Sequence, residues 1–139
     1  MSYDLAKETQ EAIDAGNKAL TMLKKARHDL SSAGNWGLVD MFGGGAFTTM
    51  IKRSKMNDAK RNMEQAKFAL RRFSKEVKDV SMNLPLEMEA DGFLSFADFF
   101  MDGFFVDWMV QSQINRAKGQ VDEAIRRVEF VLKQLKTYC

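Results

Sequence analysis

The chain has 139 residues, 45% hydrophobic and 29% charged, with one proline, ten methionines and one cysteine. That is the size of one domain with a sizeable core, and it excludes both a disordered chain and a disulfide-stapled one. The net charge of +2 hides an uneven distribution: ten basic and four acidic residues lie between 50 and 80, whereas six acidic and no basic residues lie between 81 and 107. The basic middle helix and the acidic connector are expected to neutralise one another, within the chain or across a dimer.

The N-terminus lacks the sections of a secretory signal, so a cytoplasmic location is expected, in keeping with the lone Cys139. Helix 1 is predicted from about Ser2 or Tyr3 to about Ala33. Its apolar stripe is Leu5, Ala12, Ala15, Ala19, Met22 or Leu23, Ala26 and Leu30. Alanine at so many inward positions lets a neighbouring helix approach closely, so helix 1 is expected against the bulkier methionine and phenylalanine of helix 2. Gly16 costs about 1 kcal/mol relative to alanine in a helix interior, which makes sense where a backbone passes close. His28, the only histidine, stands near the expected end of this helix, where the dipole stabilises a cation without any catalytic role.

Ser31, Ser32, Gly34, Asn35 and Gly37 read as the end of helix 1, and residues 36–42 as a short helix closed by Gly43, Gly44 and Gly45. A phosphate loop would need a preceding strand and a lysine followed by serine or threonine, whereas Ala46, Phe47 and Thr48 follow here. The glycines read as a tight corner. Helix 2 is predicted from about Ala46 to about Val80, with Met56, Ala59, Met63, Ala66, Leu70, Phe73, Val77 and Val80 as its seam. Asn83, Pro85 and Gly92 mark the second connector. Ser95 and Asp98 have the spacing of an N-terminal cap for a second short helix over 96–102, after which helix 3 runs from about Gly103 or Phe104 to about Tyr138. The window 92–110 is the most apolar, but Asp98, Asp102 and Asp107 interrupt it, so no membrane span is expected.

The stretch Asp40–Lys60 recurs 58 positions later as Asp98–Lys118. Asp40 pairs with Asp98, Phe42 with Phe100, Gly45 with Gly103, Ser54 with Ser112 and Asn57 with Asn115. The seam of helix 2 recurs as Ile114, Ala117, Val121, Ala124, Val128, Val131, Leu135 and Tyr138. The copies span about 36–80 and 94–138, with Trp36 opening the first. Gly45 and Gly103 are expected to supply the corner of each copy, and Ser54 and Ser112 to mark a kink or break. The fold class is all-α: one domain, 1–139, as an up-down-up bundle of three long helices with short connector helices. Helices 2 and 3 are expected antiparallel, with helix 1 in the groove between them. A four-helix arrangement, its fourth corner filled by a connector helix or by a second subunit, is the alternative.

Nothing in this pattern builds a nucleophilic site, because Cys139 is terminal and has no histidine triad. Asp40 and Asp98 occupy the same place in both copies among apolar residues. They are expected to cap helix starts or to pair with basic side chains, Lys52 or Arg53 in the first copy. A metal- or small-ligand-binding protein using Asp40 and the cluster of Asp98, Asp102 and Asp107 is the competing reading. No set of glutamate and histidine completes a di-iron site, so no metal or cofactor is assigned. Phe93, Phe96, Phe99, Phe100, Phe104, Phe105 and Trp108 crowd the second connector. Most are expected in the core, and those beyond what a bundle of this thickness buries at a subunit or partner interface. Phe99, Phe100, Phe104 and Trp108, with Arg61, Arg71 and Arg72 on the basic face of helix 2, are the expected contact residues. Those basic residues are spread around solvated faces with no reading motif beside them, which disfavours nucleic acid.

Asn35-Trp36-Gly37, Asp40, Gly43-Gly44-Gly45 and Lys52, with Asp102-Gly103 and the run Asp107-Trp108-Met109-Val110-Gln111-Ser112, resemble a family of uncharacterised bacterial helical proteins over most of 35–117. The resemblance implies a helical bacterial protein and carries no activity, cofactor or partner. The expectation is therefore a non-catalytic interaction or scaffold protein that forms a homo-oligomer or binds a protein partner.

Overall fold

Steps of three and four residues give each long helix one apolar row, and burying those rows against one another sets the fold. The computed structural model describes residues 4–41, 46–84, 87–111 and 113–138, with side chains at 4–32, 56–84, 90–111 and 113–138. Every regular element among them is helical: α1 (Leu5–Met41), α2 (Ala46–Ser81), α3 (Glu87–Asp98), a π-helical segment (Phe99–Phe104), α4 (Phe105–Gln111) and α5 (Ile114–Lys136).

The expected rows are the buried ones. Ala12, Ala15, Ala19, Leu23, Ala26 and Leu30 of α1 are buried, with Ala59, Met63, Ala66, Leu70, Phe73, Val77 and Val80 of α2 and Ala117, Val121, Ala124, Val128, Val131 and Leu135 of α5. Small residues on α1 let both partners come close. A Cβ at Gly16 would stand 2.6 Å from Leu132 Cδ2 and 2.7 Å from Phe73 Cε1, distances no real Cβ sustains. The missing side chain of Gly16 is the space into which α2 and α5 both fit.

Packing runs in a ring: α1 on α2, α2 on α3, α3 on α5, and α5 back on α1. Neighbours are antiparallel. Between α1 and α2, Asn62 donates a hydrogen bond to Asp29 while Gly16 abuts Phe73. Between α1 and α5, Arg27 pairs with Asp122 at 2.7 Å while Gly16 abuts Leu132. The rings of Phe73 and Phe93 meet edge to face at 5.3 Å where α2 crosses α3, and Lys67 lies 4.7 Å over the Phe105 ring further along. Both α2 and α5 thus oppose α1, so they run in the same direction. This departs from the expected antiparallel pair, because the second connector is a full helical pass and the chain crosses the molecule once more before its last long helix.

Local punctuation is overridden in three places. The helical backbone of α1 continues through Ser31, Gly34 and Gly37 to Met41, so His28 lies in mid-helix and is exposed to solvent. Each glycine costs ~1 kcal/mol there, and the helical backbone carries both. Gly92 and Ser95 lie inside α3, which begins at Glu87, so Ser95 caps nothing. Gly103 lies in the π-helical segment rather than at a corner. The backbone instead breaks before α5, at Gln113, whose extended φ of −76° and ψ of 110° reset the chain direction. The expected break residue Ser112 lies outside the described residues, and at its counterpart Ser54 α2 passes uninterrupted.

Candidate functional site

Residues 90–108 combine the densest aromatic packing with an acidic outer face, and the two properties have one local cause. Phe100 and Met101 are adjacent and both buried, as are Phe104 and Phe105. Ala97, both pairs and Trp108 follow the i, i+3, i+4, i+7, i+8 spacing of one helical face, which carries them inward and leaves the aspartates between them outward. Over 99–104 the bonding is wider, the Phe105 amide donating to the Phe100 carbonyl. Phe96, Phe100, Phe104 and Trp108 then form a ladder with centroid spacings of 5.9, 5.2 and 6.5 Å. At its foot the Trp108 indole N–H donates to the Gln113 carbonyl at 3.1 Å, tying the buried ring to the break before α5.

Cations from α5 clamp this ladder. Arg116 lies 5.6 Å over the Phe104 ring and pairs with Asp107. Arg127 lies 4.9 Å over Phe96, bonds Glu123 at 2.8 Å and reaches the Gly92 carbonyl at 3.4 Å. Ion pairing of the acidic pass, among the described residues, therefore comes from α5 and not from the basic helix α2.

These positions correct the expected contact surface. Phe100, Phe104 and Trp108 are at most 1% exposed and belong to the interior. A fourth helical pass supplies interior that a three-helix arrangement lacks, so the aromatics are not in surplus. Phe99 is 48% exposed, its ring lying across Gly103, where a Cβ would stand 3.3 Å from Phe99 Cδ2. Arg61, Arg71 and Arg72 are exposed on α2, Arg61 pairing with Asp58 at 2.6 Å. Trp36 and Asp40 fall on the helical backbone of α1, with side chains outside the described residues, and Gly45 lies outside them altogether.

Asp98 is exposed at the end of α3 and caps no helix start, against the expected cap or ion pair. Asp102 is exposed too, and Asp107 is engaged by Arg116 and by Gln111 at 3.1 Å. The three aspartates do not gather into a common site among the described residues, which counts against the competing metal reading. The carboxylates that do meet, among the described residues, are Glu8, Glu11 and Glu76, within 4.8 Å of one another. Desolvation there, then repulsion by Glu11 and Glu76, raises Glu8 above the ordinary carboxylate range. Glu123 goes the other way, held low by hydrogen bonds from Arg126 and Arg127.

The outer surface completes the site. Along α3 to α4, Phe99 and the 57% exposed Val106 stand among Asp91, Asp98 and Asp102, with no basic side chain on that pass. On α2, the 54% exposed Phe68 stands among Arg71, Arg72 and Lys75. Phe68 also borders a groove of about 610 Å³ between α1 and α2, floored by Ala15, Met22 and Ala69 and rimmed by Glu11, Asp14, Lys18 and Arg72. A smaller groove of about 350 Å³ lies between α3 and α5, beside Arg126 and Phe130. Sequence reasoning missed Phe68, although its position off the seam, between Ala66 and Leu70, was the available signal. Among the described residues no helix is long and apolar enough to cross a membrane. No family model matches the chain, and no curated protein or solved structure matches it either.

Proposed function

We propose that this is a non-catalytic helical scaffold of a bacterial cytoplasm, working through protein–protein contact and associating with a second copy of itself. The observation that carries the reading is the pair of outer faces just described: half-exposed Phe68 on a basic helix, and half-exposed Phe99 and Val106 on an adjacent acidic one. Apolar side chains rimmed by charge are the composition of a contact surface. The 58-residue repeat is read as a duplication that set α2 and α5 at opposite corners of the bundle. Phe68 and Arg72 beside the larger groove, and Arg126 and Phe130 beside the smaller, stand at the repeat offset from one another, which supports the duplication.

Light scattering on a size-exclusion column, in reducing buffer, tests the reading. A dimer or larger assembly without stoichiometric metal is expected. A single-chain mass at every concentration would overturn self-association, and bound metal in the purified protein would move the function to ion binding.

A further inference from the structure

We infer that the second copy docks about a two-fold axis parallel to the helices, setting the basic face of α2 on the acidic face of the partner's α3 to α4, and the reverse. This rests on the self-association proposed above and names its surface. Three observations lead to it. The first is charge: Arg71 and Arg72 flank Phe68 on one helix, Asp98 and Asp102 flank Phe99 on the next, and all six are exposed. None of the four charged groups makes an ion pair among the described residues, so each remains available to a partner.

The second is level along the bundle. Phe73 meets Phe93, and Lys67 meets Phe105, so residues 68–72 of α2 and 98–102 of the acidic pass lie in one band between those contacts. Rotation about an axis parallel to the helices preserves level. It therefore brings the basic band of one copy against the acidic band of the other, twice, with α2 antiparallel to the partner's acidic pass. Such an isologous contact closes at two chains.

The third is area. The acidic pass has segments of twelve, six and seven residues, or ~35 Å at ~1.5 Å per residue. Two adjacent helices, each ~10 Å wide, give a face of roughly 700 Å². A standard interface buries about 800 Å² on each partner. The face is of the size a specific dimer needs.

Charge exchange tests this pairing. Asp98→Lys with Asp102→Lys makes one variant, and Arg71→Glu with Arg72→Glu the other. Each alone sets like charges opposite one another in both halves of the contact, and association is expected to weaken ~100-fold or more. An equimolar mixture sets opposite charges together in both halves and is expected to form a heterodimer. The neutral pair D98N and D102N, which adds no charge to the fold, is expected to weaken association ~10-fold and to reduce its salt dependence. Variants that dimerise like the parent would overturn the surface and leave self-association standing. Two monomeric variants whose mixture stays monomeric would also overturn it, and a monomeric parent would overturn both.

Discussion

At Gly16 side chains from two other helices converge on one backbone position. Alanine there gains ~1 kcal/mol of helix propensity, but its Cβ meets the fully buried Phe73 ring and the end of Leu132. Overpacking of this kind costs roughly 1–3 kcal/mol, so Gly16→Ala is expected to lower the urea midpoint, and Phe73→Leu in the same chain to recover part of the loss. The aromatic residues divide on exposure. Trp108→Ala is expected to cost about 3–5 kcal/mol, because it opens a core cavity and removes one of the two donors to the Gln113 carbonyl, the Ala117 amide being the other. Phe99→Ala should leave thermal stability within ~1 kcal/mol and act on association instead.

Two glutamates carry opposite pH signatures. Glu8 is raised above 4.5, so the folded chain holds its proton more tightly than the unfolded chain. Stability falls as pH rises through 4.5 and then through the folded value. Glu8→Gln removes that loss, and the variant is expected to match the parent in acid and exceed it at neutrality. Glu123 is lowered below 4.5, so its contribution is present above 4.5 and fades as pH falls through the folded value. At neutrality Glu123→Gln should cost less than ~1 kcal/mol, solvent screening being strong there, and nothing in acid. Urea melts of both variants at pH 3 and pH 7 read the two signs directly.

At the scale of elements, the joint between α3 and α5 rests on Arg127, which bonds Glu123, reaches the Gly92 carbonyl and covers the Phe96 ring. Arg127→Ala is expected to cost about 1 kcal/mol, since the side chain is partly exposed. Hydrogen exchange should rise in α3 more than in α1. Long rows such as Met63, Ala66, Leu70 and Phe73 were legible in the sequence because amphipathic periodicity is local. The acidic pass was not. Pro85, Gly92 and Gly103 read as punctuation one residue at a time, whereas the ladder from Phe96 to Trp108 makes a continuous helix worth more than two interior glycines cost. The π-helical segment was hidden because the buried positions 97, 100, 101, 104, 105 and 108 keep the spacing of an ordinary helical face, so nothing in the pattern marks the wider bonding.

For the whole molecule, the ring of packed helices explains both what was anticipated and what was not. Counting seven aromatics against a three-helix interior predicted a surplus, and the additional pass absorbs most of them. What remains outside among the described residues is Phe68, Met82, Phe99, Val106, Val110, Phe130 and Tyr138, most of whose apolar character off the buried rows could be read from the sequence once the rows were fixed. Charge follows the same logic. Basic α2 and the acidic pass are neighbours, yet the one described ion pair of that pass, Asp107 with Arg116, comes from α5. The two fields therefore stay open on adjacent outer faces, where a second copy can answer both.

Sedimentation equilibrium of the parent chain, in reducing buffer over a wide concentration series and at low and high salt, reads that consequence most directly. The mass is expected to rise from 15.9 kDa towards twice that value and stop there, and to fall back as salt screens the faces. A mass fixed at 15.9 kDa throughout, or one that climbs past two chains without limit, would contradict the account.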